Sequence, residues 1–190
     1  MTTDLNRPKA DLRGQIRNAL QMMSPAVRMA ESIELCGRLE PQLQSARTIL
    51  FFAPLTDEPD IWPLLEKLLP TQKICALPAF DRAAQIYSAR RVRNLTTDLA
   101  VGQFGIRESS VGCPEIPLAD LDLILVPGVA FDLSGHRLGR GKGFYDRLLA
   151  NVRGVKCGVA FDQQITKIIP AETHDVRMNF ILTPTRCIRT

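Results

Sequence analysis

A chain of 190 residues that is 45% hydrophobic and 23% charged has the composition of a soluble globular protein with a continuous core, and one domain over residues 1–190 is expected. Its formal net charge of +4 comes from cations scattered along the sequence, which gives no compositional case for a nucleic-acid binder and leaves small anionic ligands open. Five cysteines at spacings that form neither paired-thiol nor zinc motifs, no apolar leader at residues 1–7, and no apolar run longer than residues 48–54 predict a reduced, cytoplasmic protein that does not enter a membrane.

Asn6 offers a helix cap, Pro8 suits a first turn, and Leu12, Ile16, Ala19 and Leu20 recur at helical spacing, so a first helix is predicted there. Ser24 followed by Pro25 reads as the cap and first position of a second helix reaching about Leu39. Residues 48–52 predict a buried strand, and residues 54–59 form an acid-rich loop. Asp60 then caps a third helix through Leu69, with Pro63 tolerated in its first turn. A second strand covers residues 73–78, and the alternation of residues 85–92 predicts a third strand nearer an edge. Residues 94–117, punctuated by Gly102, Gly105, Gly112, Pro114 and Pro117, read as turns and short pieces. Residues 121–126 are the clearest buried strand; a helix over 143–152 and strands over 155–161 and 178–183 complete the chain.

This alternation predicts an α/β fold, a mainly parallel open sheet with helices on both faces preceded by two amino-terminal helices. Ligands in such sheets lie outside the carboxyl ends of the strands. The loops after Phe52, Val126 and Phe161 are therefore expected to converge, carrying Glu58, residues 139–146 and the His174-Asp175 region.

Residues 137–147, RLGRGKGFYDR, concentrate the chemistry. A Walker A loop is excluded because His136 stands at its first glycine and Gly143 at its hydroxyl, and a dinucleotide fingerprint fails because Phe144 stands at its third glycine. Gly139, Gly141 and Gly143 remain, alternating with Arg140 and Lys142. Glycines alone fit a tight turn as well as a ligand cradle, and the two cations followed by a helix start favour an anion. Asp146 reads either as a helix-start acid or as a hard oxygen ligand for Mg²⁺, and Asp175 either as a loop acid or as a second magnesium-side carboxylate. Lys9 and Arg13, four apart, share a helix face. Arg90, Arg91 and Arg93 offer an RNA contact with only Tyr87 nearby for stacking, and a charged edge strand explains them equally.

Taken together, these residues resemble the 5-formyltetrahydrofolate cyclo-ligase family, also called methenyltetrahydrofolate synthetases. The resemblance runs from Lys9–Arg13 through Glu58-Pro59-Asp60, VPGVAFD at residues 126–132 and the RLGRGKGFYDR block to His174-Asp175. It implies an ATP- and Mg²⁺-dependent cytosolic ligase of one-carbon metabolism that closes 5-formyltetrahydrofolate to 5,10-methenyltetrahydrofolate with release of ADP and phosphate. It also implies a Rossmann-like sheet related to those of sugar-phosphate isomerases and CoA transferases. By the same resemblance, ATP would be contacted by Lys9, Ala10, Asp11, Leu12 and Arg13 and by Leu138, Gly139, Arg140, Gly141, Lys142, Gly143, Phe144, Tyr145 and Asp146. Folate would be contacted by Phe52, Glu58, Arg140, Phe144 and Tyr145, Mg²⁺ by Asp146 and Asp175, and Lys142 and Arg140 would carry catalysis. The expected partners are small molecules, with no nucleic acid and no membrane, and a monomer is expected. Another ATP- or sugar-phosphate-using enzyme on the same sheet is the alternative. Ser109 departs from the proline common in the family, and Arg140 from the tyrosine of many bacterial members.

Overall fold

The computed structural model describes residues 6–81, 83, 85–102, 105–171 and 175–190. Two helices come first, α1 (Asn6–Gln21) and α2 (Pro25–Gln44). Ser24 caps α2, its hydroxyl accepting the Val27 N–H at 3.3 Å. The helix runs five residues past the expected end at Leu39, through Pro41, because Leu35, Leu39 and Leu43 keep one buried stripe going. Next come β1 (Thr48–Leu50), α3 (Trp62–Leu68), β2 (Ile74–Asp81), β3 (Ile86–Val92), β4 (Leu99–Val101), β5 (Arg107–Ser109) and β6 (Glu115–Ile116). The chain finishes with β7 (Leu123–Pro127), β8 (Ala130–Asp132), β9 (Arg137–Leu138), α4 (Phe144–Leu149), β10 (Val155–Val159), β11 (Ile165–Thr166), β12 (Phe180–Leu182) and β13 (Cys187–Arg189).

The main sheet has eight strands in the order β13-β12-β10-β7-β1-β2-β3-β6. β12, β10, β7, β1 and β2 run parallel, while β13, β3 and β6 pair antiparallel at the flanks. Connections out of β1 lead to one side and those out of β7 to the other, so the strand order reverses between these two neighbours. Asp122, just before β7, pins this junction by accepting the Arg47 and Thr48 N–H groups at 2.8 Å each.

Both faces of the central strands are covered, which is why they read as unbroken apolar runs. Ile49, Phe51, Leu123 and Leu125 pack toward α2 and α3, while Leu50, Ile124 and Val126 pack toward Leu148 and Leu149 of α4. The expected helix over 143–152 keeps regular α-form only to Leu149, because its last N–H groups, of Asn151 and Val152, bond to Leu148 and Leu149 three residues back. A second sheet, β11-β8-β9, sits beyond the carboxyl ends of the main one, and α1 packs on it through Ile16 and Leu20, joined by Met23 of the turn that follows the helix. Helices thus cover both faces of the main sheet, with α1 assigned to the smaller sheet. Residues 94–117, expected to be turns and short pieces, contain the paired strands β4 and β5 and the edge strand β6. No helix among the described residues is long and apolar enough to cross a membrane.

Candidate active site

A cavity of about 300 Å³ opens where the strand order reverses, above the ends of β1 and β7. This is the crevice in which open α/β sheets bind ligands. Phe52, Glu58, Arg140, Phe144 and Tyr145, the five expected folate contacts, all line it. From β1 the chain passes Phe52 and turns, and the Glu58 N–H closes that turn on the Leu55 carbonyl at 3.0 Å. The Glu58 side chain is buried, only 6% exposed, with one oxygen accepting the Leu55 N–H at 3.0 Å and the other the Arg140 Nη2 at 3.1 Å. Burial pushes its carboxyl above the ordinary carboxylate range, and the Arg140 guanidinium and the Leu55 N–H pull against that rise. The same Arg140 nitrogen donates to Asp57 Oδ1 at 2.5 Å.

The glycine loop is set by the hairpin beneath it. Val129 N–H bonds to the Leu138 carbonyl at 2.7 Å, and buried Asp132 accepts the N–H groups of Ser134, His136 and Ile169 and contacts His136 Nδ1 at 3.0 Å. Gln164 adds a cross-tie, its amide nitrogen donating to the Gly128 carbonyl at 2.7 Å while its oxygen accepts the Phe161 N–H at 2.7 Å. Gly141 (φ 94°) and Gly143 (φ 66°) take left-handed backbone conformations that side chains disfavour, so glycine at these two positions is a requirement of the turn. Arg13 of α1 reaches over to donate Nε–H to the Gly139 carbonyl at 2.9 Å. Lys142, exposed on the cavity rim, has no hydrogen-bond or ion-pair partner among the described residues.

α4 spans only six residues, so its dipole adds little and the loop's cations supply the positive field. Asp146 faces the cavity 40% exposed and takes a hydrogen bond from Arg137 Nη2 at 2.5 Å. Arg137 is 6% exposed and lies 5.5 Å from the centroid of the Tyr145 ring. Phe80, Tyr87, Phe144 and Tyr145 form an aromatic wall with neighbouring centroids 4.7–6.2 Å apart. Glu108 also lines the cavity, one oxygen accepting the Phe80 N–H at 3.1 Å. Ser109 points behind that wall and donates its hydroxyl to the Leu77 carbonyl at 3.2 Å, so the departure from proline ties β5 to β2.

The remaining expected contacts are distributed differently. Lys9 is 3.6 Å from Asp175, joining α1 to the segment before β12, while His174 lies outside the described residues. Ala10 and Asp11 are exposed, and Leu12 and Leu138 turn toward the α1 core, so these four have side chains outside the cavity lining. Arg90 donates to the Val111 and Cys113 carbonyls at 2.6 and 3.2 Å, work internal to the fold. Arg137 was not singled out from sequence although Asp146 stands nine residues away in the same motif, and neither were Gln164 and Asp57, whose partners Gly128 and Arg140 lie 36 and 83 residues away. Only the acid-rich text of residues 54–59 hinted at Asp57.

The sequence matches the 5-formyltetrahydrofolate cyclo-ligase family over residues 6–184. It is 35% identical over 187 residues to the 5-formyltetrahydrofolate cyclo-ligase of Mycolicibacterium smegmatis, covering 96% of each chain. It is 28% identical over 193 residues to that of Mus musculus, covering 94% of each. The solved structure of Aquifex aeolicus 5,10-methenyltetrahydrofolate synthetase superposes with a TM-score of 0.86 at 34% identity, over 95% of this chain and 92% of that one. With the family's motifs brought to one crevice and the fold shared over almost its full length, the chain belongs to the 5-formyltetrahydrofolate cyclo-ligase family.

Proposed function

We propose that this cavity carries out the ATP-dependent closure of 5-formyltetrahydrofolate to 5,10-methenyltetrahydrofolate, with release of ADP and phosphate. The observation that carries the assignment is the meeting of Glu58 with Arg140 of the glycine loop in one apolar-walled crevice. A formyl oxygen on folate N5 is a poor leaving group. Transfer of the γ-phosphoryl group to that oxygen gives an iminium phosphate; N10 then attacks the formyl carbon, the C–O bond breaks, and phosphate leaves as N10 loses its proton.

Phosphoryl transfer asks the protein mainly for alignment and charge neutralisation. Lys142 and Arg140 supply charge from the loop, and Arg13 and Lys9 supply it from α1. The glycine N–H groups offer further donors to phosphate. Glu58 accepts from the N–H edge of the pterin, and Phe52, Phe144 and Tyr145 flank its rings. No covalent nucleophile is required.

Among the described residues no three acids or imidazoles gather at one point, which suits a Mg²⁺ that takes much of its shell from phosphate oxygens and water. Asp146, a half-exposed hard carboxylate at the cavity, fits such an ion, and Asp175 is the second candidate. Bound Mg²⁺ would neutralise phosphate charge. The enzyme is proposed to act as a monomer in the cytoplasm, a compartment that the five free cysteines fit.

The direct test is incubation with 5-formyltetrahydrofolate, ATP and Mg²⁺, following the methenyl absorbance and ADP together. Equal amounts of both products are expected, and none without ATP. Absence of the chromophore, or its formation at full rate without nucleotide, would overturn the reading.

A further inference from the structure

We infer that Asp57 is a positioning residue that holds Arg140 so that Glu58 can exchange its arginine partner for the folate. This deepens the function proposed above and rests on it. Residues 54–60 carry three acids, and two have evident roles: Glu58 faces the cavity and Asp60 Oδ1 accepts the Trp62 N–H at 3.0 Å at the start of α3. Asp57 is the third. It meets Arg140 Nη2 at 2.5 Å, and Glu58 meets that same nitrogen at 3.1 Å. One Nη2 carries two protons, so a single group of Arg140 serves both carboxylates.

The two acids differ in setting. Glu58 is 6% exposed and Asp57 32%, with Arg140 at 35% between them. A reduced pterin bringing N–H donors to Glu58 must compete with Arg140 for its oxygen. If Glu58 were the only carboxylate within reach, Arg140 would settle on it fully, and folate would have to break a buried ion pair to enter. Asp57 supplies the alternative: Arg140 shifts its weight outward by one hydrogen bond and stays beside the glycine loop. Its Nη1 and Nε donors remain available to phosphate. Asp57 thereby favours folate binding without touching folate.

The test is a double-mutant cycle on 5-formyltetrahydrofolate affinity, titrated without nucleotide, in the unaltered protein, Asp57→Ala, Arg140→Ala and the double variant. Asp57→Ala is expected to weaken folate about fivefold and ATP, titrated alone, by less than about twofold, raising the folate KM more than it lowers kcat. In the Arg140→Ala background the same change is expected to cause no further loss. A loss that persists without Arg140, or an unchanged folate affinity in Asp57→Ala, overturns the proposal. Asp57→Asn, which keeps the shape and removes the charge, is run alongside, and normal folate affinity in it also overturns the proposal. The two readings fail separately. An unaltered protein that makes no methenyl product removes the activity, whereas Asp57–Arg140 coupling is still read from the same four proteins by thermal unfolding.

Discussion

Lys142 stands apart from the other cations lining the cavity: Arg107, Arg137 and Arg140 are each held by a carbonyl or a carboxylate, and Lys142 has no such partner among the described residues. An unengaged ammonium beside a glycine loop is poised for a transferring phosphoryl group. Lys142→Ala is therefore expected to lower kcat by about 10²-fold or more while the melting temperature stays unchanged, since one preorganised contact at developing charge is worth about 2.7–4 kcal/mol. Near-normal turnover would remove Lys142 from the mechanism. Glu58 makes a prediction of a different kind. Burial raises its carboxyl pKa in the folded protein, even after the pull of Arg140, so the folded state holds the proton more tightly than the unfolded one. Stability associated with Glu58 is then fully present at low pH and is lost as pH rises through the folded value. Glu58→Gln cannot ionise, so it is expected to melt higher than the unaltered protein near about pH 8, with the gap closing toward about pH 4. The same variant is expected to bind folate far more weakly and ATP almost as before; equal losses of both affinities would contradict the assignment. Glu58 and Lys142 were legible in the sequence because each sits inside a motif. Asp57 was not, because its role exists only once Arg140, 83 residues away, arrives beside it, and Arg137 lies inside the motif but its bond to Asp146 depends on how the glycine loop turns back.

At the scale of elements, the hairpin of β8 and β9 holds the glycine loop in place, and it is held in turn by Asp132. Burial alone would push the Asp132 carboxyl up, yet the Ile169 N–H, the His136 ring and the His136 and Ser134 N–H groups keep it below the ordinary carboxylate range. A depressed pKa contributes stability that is present above the unfolded value and lost as pH falls through the folded one. Asp132→Asn is expected to destabilise the fold by about 1–3 kcal/mol, read as a lower denaturant midpoint at neutral pH, because an amide replaces an ionic acceptor of buried donors. An unchanged midpoint would show that the hairpin is held otherwise. The elements set in helical stripes or longer apolar runs were readable: α1, α2, β1, β2, β3, β7, β10 and β12 all fall where the apolar pattern puts them. The strands of the small sheet are two or three residues long and depend on side-chain ties from Asp132 and Gln164, which no period in the sequence reveals. β13 likewise follows a turn tied by Thr183, Thr185 and Arg186 to Asp162, and an alternation of three residues is too short to detect.

Across the whole molecule, a mainly parallel sheet with its ligand crevice at the strand ends followed from the order of strands and helices, and the reversal between β1 and β7 gives that crevice its place. The seat of α1 did not follow, because an amphipathic helix shows that it has a buried face without naming the surface that receives it. Since α1 rests on the small sheet and bears Lys9 and Arg13, ATP is expected to slow amide exchange in α1 and residues 139–143 while leaving β7 and β10 unchanged. Uniform protection over all these segments would point to a different nucleotide site. The contact between Glu58 and Arg140 joins residues 82 apart in sequence, across the central strand pair. Any tight folate mimic that occupies this junction binds only assembled protein and so pulls the folding equilibrium toward it. At a free concentration 100 times its Kd it adds about 2.7 kcal/mol, comparable to what a typical damaging point substitution removes. An inhibitor of this enzyme would then also be a pharmacological chaperone, raising the cellular level of impaired variants while blocking the site they carry.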